Sequence, residues 1–209
     1  MRRYYNHVAG QSVERLAALS DGVFAVAMTL LVLDLKTPAA SLIHSEDDLW
    51  RALTGVAPTF GMYLMSFLTL GIFWVGQQTQ LNDLRRSDRD LTWIHLGFLF
   101  AVSLLPFSTS LLAGLFEYRI ALAIYWLNIL LLGLMLLWSW RHIMGAELLK
   151  DGTPRERHGQ ITSRIIVAQS LYAFGAALCV FGTIYSIAFI LMVQLNYVFA
   201  PRIKFLDRL

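Results

Sequence analysis

The chain has 209 residues, 57% hydrophobic and 15% charged, with a mean hydropathy of +0.58. That apolar content exceeds what a soluble domain of this length needs for its core, so the composition points to a polytopic membrane protein. The formal charge is only +3, and no basic patch interleaved with aromatic residues accompanies it, which argues against a nucleic-acid partner.

The N-terminal stretch MRRYYNHVAGQSVER is polar for fifteen residues. It lacks the short apolar run and small-residue cleavage site of a secretory signal, so the first apolar run is expected to be a retained helix. Runs of about 20 apolar residues, the length that crosses roughly 30 Å of hydrocarbon, fall at residues 15–35, 56–77, 91–112, 119–140, 161–181 and 183–203. The runs are continuous rather than alternating, as expected of helices whose backbone groups must be satisfied internally in lipid. The expected fold is therefore all-α: one domain over residues 1–209 with six transmembrane helices. The connection at Gly182 is tight enough to make the last two helices an antiparallel pair.

The basic residues set an orientation. Fourteen of the 17 Lys and Arg side chains fall on one side of this arrangement, leaving Lys36, Arg51 and Arg119 on the other. The positive-inside rule then predicts that both termini are cytoplasmic.

The first span carries Arg15, Ser20 and Asp21 at its entrance. At 3.6 residues per turn, Gly22, Val26, Thr29, Leu30 and Leu33 share a stripe, while Ser20 and Asp21 point more than about 100° from its centre. A carboxylate within the bilayer costs about 2.5–3.5 kcal/mol at the midplane and less near the interface, so Asp21 should be held by donors from the bundle. Arg15, Ser20, Gln77, Gln78 and His95 all lie at that depth. Two readings stand: a hydrogen-bonded structural network, or a protonatable Asp21–His95 relay, although no second acid continues such a path. Val, Leu and Thr at helical spacing are, by themselves, more often ordinary packing than a pore.

Lesser signals follow along the chain. Glu46, Asp47 and Asp48 form an acidic run on the outer loop, a solvated face or a cation-concentrating vestibule. Ser103, Pro106 and Ser108 predict a kinked third span whose freed carbonyl is met by a hydroxyl or a neighbour. Asn128 and Asn196 are expected to make interhelical hydrogen bonds. Trp74, Trp93, Trp138 and Trp140 lie where an interfacial aromatic belt is expected. The single cysteine, Cys179, reads as packing. His7, His44, His142 and His158 show no metal-ligand spacing, and no phosphate loop or nucleophile motif is present, so no enzyme and no cofactor are expected.

The pattern Arg15-x-x-x-Leu19-Ser20-Asp21 resembles the RxxxFSD signature in the first helix of the transmembrane protein 175 family, whose animal members are endosomal and lysosomal potassium channels. The resemblance continues through FWVGQQ (Phe73 to Gln78) and LLPFSTSLL (Leu104 to Leu112) and becomes compositional after residue 119. Leu19 stands where the family usually has Phe, Gln77 where His is common, and His95 where Asn is common. The last two look like an exchange of donors within one network, which puts a His-specific role at position 77 in doubt.

The resemblance implies a potassium-preferring cation channel in a prokaryotic plasma membrane, a homotetramer with a pore lined by the first helix of each subunit. Val26, Leu30 and Leu33 would form an apolar constriction and Thr29 would supply a hydroxyl to the permeant K+. An apolar ring can gate by dewetting, and hydroxyls replace part of an ion's hydration shell. No TVGYG-type filter is present, so selectivity should be moderate. Two rival functions remain: a proton- or cation-coupled secondary transporter with Asp21 as coupling site, and a non-conducting membrane assembly protein. The transporter would call for inverted repeats and broken helices, which the sequence does not show.

Overall fold

The computed structural model describes residues 12–33, 35–150, 152 and 155–199, with the side chains of 155–158 left aside. Six α-helices make up the described part: α1 (Val13–Val32), α2 (Glu46–Asn82), α3 (Arg89–Gly114), α4 (Arg119–Gly145), α5 (Arg155–Ala177) and α6 (Thr183–Phe199). Short 3₁₀ turns occupy Ala40–Leu42 and Leu178–Val180. The all-α, six-helix fold expected from the sequence is what the chain adopts. Five of the helices are long and apolar enough to cross a membrane, and α6 is a shorter apolar helix.

Side-chain caps explain where the helices begin. The Ser12 hydroxyl accepts the Arg15 N–H at 3.2 Å to open α1. Asp88 accepts the Leu91 N–H at 2.7 Å to open α3. At α2 the Ser45 hydroxyl accepts the Asp48 N–H at 3.1 Å and donates to the Asp48 carboxylate at 2.8 Å. This cap, with Glu46, Asp47 and Asp48 in the first turn, complements the positive end of the helix dipole.

That cap also corrects the expected start at residue 56. Hydropathy reads SEDDLWRA as loop, but a polar, acidic start is favourable for a helix end that projects beyond the hydrocarbon. At 37 residues, α2 is about 55 Å long, well beyond a bilayer core. The other boundaries shift less. α1 ends at Val32 rather than 35, α4 runs on to Gly145 rather than 140, and α5 gives way to a 3₁₀ turn after Ala177. The final residues of the sixth span, 200–203, lie outside the described residues.

The helices do not contribute equally to the core. α3 packs most extensively on α4; α5 packs on α4 and α6, and α6 also reaches α2. α1 lies to one side, packed chiefly on α3 and α2. The α5–α6 turn passes through Gly182, whose φ of 147° is one that L side chains rarely adopt. Gly133 on α4 is a notch: a Cβ there would collide with the Gln169 side chain of α5. Cys179 packs against the main apolar core, as read from the sequence.

A second apolar cluster sits at the basic end, where the α2–α3 and α4–α5 connections lie: Leu81, Leu84, Leu91, Trp140, Ile143 and Leu148. Trp140 is fully buried there, which corrects its assignment to the interfacial belt, whereas Trp93 and Trp138 are exposed. The two connections are stitched together. The Arg85 N–H donates to the Leu148 carbonyl, and the Lys150 N–H to that of Asp83, both at 2.9 Å. His142 Nε2 lies 3.0 Å from the Asp88 carboxylate, within hydrogen-bond distance.

Candidate pore face and its polar anchor

α1 has a buried back and an exposed front. Leu16, Ser20, Phe24, Ala27 and Leu31 recur at steps of three or four and turn into the subunit. Phe24 meets Phe98 of α3 with ring centroids 5.9 Å apart. The front carries the residues singled out from the sequence: Val26, Leu30 and Leu33 are 57%, 43% and 72% exposed, and Thr29 is exposed beside them. With Leu19, Gly22, Val23 and Ser103 of α3, Val26 and Leu30 line an open groove of about 490 Å³. Thr29 donates its hydroxyl proton back to its own helix, at 3.0 Å to the Ala25 carbonyl and 2.9 Å to that of Val26. Its oxygen lone pairs remain available on the exposed side.

Behind this front, α1 is held by two polar clusters rather than the single one expected. In the first, buried cluster, Gln77 donates through Nε2 to the Ser20 hydroxyl at 2.8 Å, and Ser20 lies 2.7 Å from His95 Nε2. Gln77 Nε2 is also 3.2 Å from His95 Nε2, and the ring makes a further bond to the Leu16 backbone. The directions close consistently when Ser20 donates to Nε2 and the other ring nitrogen donates to the Leu16 carbonyl. One hydroxyl of α1 thereby joins α2 to α3, and all three side chains are buried.

In the second, exposed cluster, Asp21 accepts from Trp74 Nε1 at 2.8 Å and from Gln78 Nε2 at 2.9 Å, both on α2. Among the described residues Asp21 and His95 therefore share no hydrogen-bond partner, and no direct relay joins them there. Arg15 is exposed and is not bonded to Asp21. The cause is helical phase: adjacent residues lie about 100° apart, so Ser20 enters the interior while Asp21 stays on the flank facing α2. Trp74 was read only as a belt residue. Its place one turn before Gln78 on α2 was the signal that both could reach one carboxylate.

Elsewhere the expected interhelical bond of Asn128 is present: its Nδ2 donates to the Ala101 carbonyl at 3.0 Å, and its Oδ1 accepts from Ser108 at 3.3 Å. Asn196 is exposed instead, and the buried amide of α6 is Gln194, two residues earlier. Ser103 and Ser108 donate to the Phe100 and Leu105 carbonyls around Pro106.

Known proteins share this fold. Residues 15–106 match the family described as "Endosomal/lysosomal potassium channel TMEM175". A protein of Streptomyces collinus named "Potassium channel B446_29190" is 38% identical over 136 residues, 62% of this chain and 63% of its own length. The chain thus spans less than two thirds of that relative. One of Chamaesiphon minutus, named "Potassium channel Cha6605_3372", is 30% identical over 168 residues, covering 78% of this chain and 82% of its own. The solved structure of a "lysosomal potassium-selective channel TMEM175 homolog from Chamaesiphon Minutus" superposes with a TM-score of 0.78 at 25% identity, over 91% of this chain and 98% of that one. With a membrane-spanning helical fold, the Arg15-to-Asp21 signature on α1 and these relatives, the chain belongs to the TMEM175 family.

Proposed function

We propose that the protein is a potassium-preferring cation channel of a prokaryotic plasma membrane, with both termini cytoplasmic, that conducts passively through a pore lined by α1 of several subunits. The observation that carries this reading is the exposed front of α1. Three apolar side chains and a threonine share one stripe, on a helix fixed from behind by Ser20 and Asp21. The hydrogen bonds of Ser20 and Asp21 to the neighbouring helices fix which face of α1 is turned outward. Register matters when the front meets copies of itself.

In this reading four subunits bring their α1 fronts to a shared axis, in keeping with the closed symmetry of most homo-oligomers. Val26, Leu30 and Leu33 form successive apolar layers that resist wetting, and Thr29 offers a lone pair to a partly dehydrated K+. The relatives named as potassium channels support the choice of ion. No cofactor enters the mechanism.

The test is flux from liposomes reconstituted with the purified protein under separate potassium, sodium and proton gradients. Rapid, uncoupled flux with potassium ahead of sodium is expected. Saturable, gradient-coupled exchange would instead identify a secondary transporter, and no flux would leave an assembly protein.

A further inference from the structure

The helices on either side of α1 carry exposed aromatic side chains at one common spacing. On α2, Phe60, Phe67 and Trp74 stand seven residues apart and are 39–57% exposed. On α3, Trp93, Phe100 and Phe107 repeat that spacing and are 62–64% exposed. Neither seam is used inside the subunit, where α2 meets α3 through the buried rings of Phe73 and Phe98. From first residue to last, each seam rises about 21 Å along its helix.

Both seams border the exposed front of α1, on opposite sides. Trp74 donates to Asp21, and Gln78, one turn further along α2, donates there too. Ser103 lies between Phe100 and Phe107 on the surface of α3 and lines the groove with Val26 and Leu30. Asp21 and Leu30 are nine residues apart, which turns them about 180° from one another around α1.

Lipid alone does not explain these faces. α4 has the pattern of a lipid-facing helix: Ile120, Ile124, Leu127 and Leu134 are exposed along the span, and an exposed tryptophan, Trp138, stands near its end. On α2 and α3 the exposed Phe67 and Phe100 lie at mid-seam instead. Lipid chains impose no period, whereas a seven-residue repeat keeps one face against a second helix in left-handed packing. Asp21 is itself exposed at the Trp74 end of the α2 seam, where a carboxylate turned toward hydrocarbon is costly and a protein neighbour is favoured.

We propose that the α2 seam of one subunit packs against the α3 seam of the next, closing a ring through a heterologous interface. The inference rests on the reading that α1 fronts meet on a shared axis, because that arrangement sets the α2 flank of each subunit opposite the α3 flank of its neighbour. Trp74 and Trp93 both lie toward the basic end, where α2 connects to α3. Phe67 therefore falls level with Phe100, and Phe60 with Phe107. Ring pairs of offset or edge-to-face geometry can form along the whole interface, and the partner subunit's Trp93 covers Asp21.

Disulfide trapping of the full chain in native membranes tests this, with Cys179→Ser removing its single cysteine. Phe67→Cys combined with Phe100→Cys, oxidised by copper phenanthroline, should give a ladder of covalent multimers ending at the tetramer. Either substitution alone should stay monomeric, since a heterologous contact does not bring a residue to its own copy. Phe67→Cys combined with Leu134→Cys, on the lipid-facing side of α4, should stay monomeric as well. Leu33→Cys tests the α1 reading separately, by linking subunits through their fronts. Leu33→Cys dimers without multimers from the 67/100 pair or from Phe60→Cys with Phe107→Cys would overturn the interface and leave the axial α1 standing. Absence of every link would overturn both. Multimers of equal yield from the Leu134 control would mark random collision and overturn the interface too. Should the 67/100 pair fail to fold, the 60/107 pair decides.

Discussion

Ser20 and Asp21 are neighbours in sequence, yet one is buried among Gln77 and His95 and the other sits on the surface against Trp74 and Gln78. Their substitutions should therefore fail differently. Ser20→Ala removes the hydroxyl that Gln77 Nε2 and His95 Nε2 share and leaves only their direct 3.2 Å contact. A loss of about 1 kcal/mol is expected for the missing hydrogen bonds, seen as a lower thermal midpoint of the detergent-solubilised protein. An unchanged midpoint would mean that the buried cluster does not hold α1. Asp21→Asn keeps an acceptor oxygen but weakens two charge-assisted bonds on the exposed flank. Subunit association or gating should suffer, measured by native mass spectrometry and single-channel recording. Normal tetramers with normal currents would refute an anchoring role. At Thr29, removal of the hydroxyl by Thr29→Val should narrow the preference for potassium over sodium in bi-ionic recordings, with assembly intact.

Among the elements, α4 and α5 depend on a contact in which the Gly133 notch receives Gln169. Gly133→Leu fills that notch and should cost about 1–3 kcal/mol through overpacking, lowering the thermal midpoint while leaving α1 and its front in place. Gly133 was passed over in the sequence, because a glycine inside an apolar run signals nothing until its neighbour is known. Helix number and order were legible, since 20-residue apolar runs leave few alternatives. Helix length was less so. The α2 start at Glu46 rests on a Ser45 cap and a dipole-favoured acidic turn, both of which score as polar on any hydropathy scale. The exchange of Asn196 for Gln194 as the buried amide of α6 has a similar origin. Both lie in one apolar run, and only the positions of α2 and α5 decide which one faces inward.

Across the whole molecule, α1 and α5 are the long apolar helices least enclosed by their own chain. Only 28% of the most apolar window of α1 and 17% of that of α5 is buried, against 44% for α3 and α4. An account in which α1 fronts converge on an axis explains why a helix with so little cover is pinned by two sets of hydrogen bonds. The stripe itself was legible from periodicity alone. Its exposure was not, because periodicity identifies a face without saying whether a neighbour covers it, and the interior turned out to lie on the Ser20 side. The single Asp21–His95 cluster was misread for the same reason: equal depth in the membrane does not imply the same side of a helix.

The central claim is that the Val26–Leu30–Leu33 front is the barrier to ion movement. The most direct measurement is single-channel conductance and potassium-to-sodium selectivity of Val26→Ser and Leu30→Ser in reconstituted bilayers. A fall of about 1.4 kcal/mol in the apolar barrier corresponds to roughly tenfold in rate, so both variants should conduct more than the parent and discriminate less. Unchanged conductance and selectivity in both would remove α1 from the pore and contradict the account.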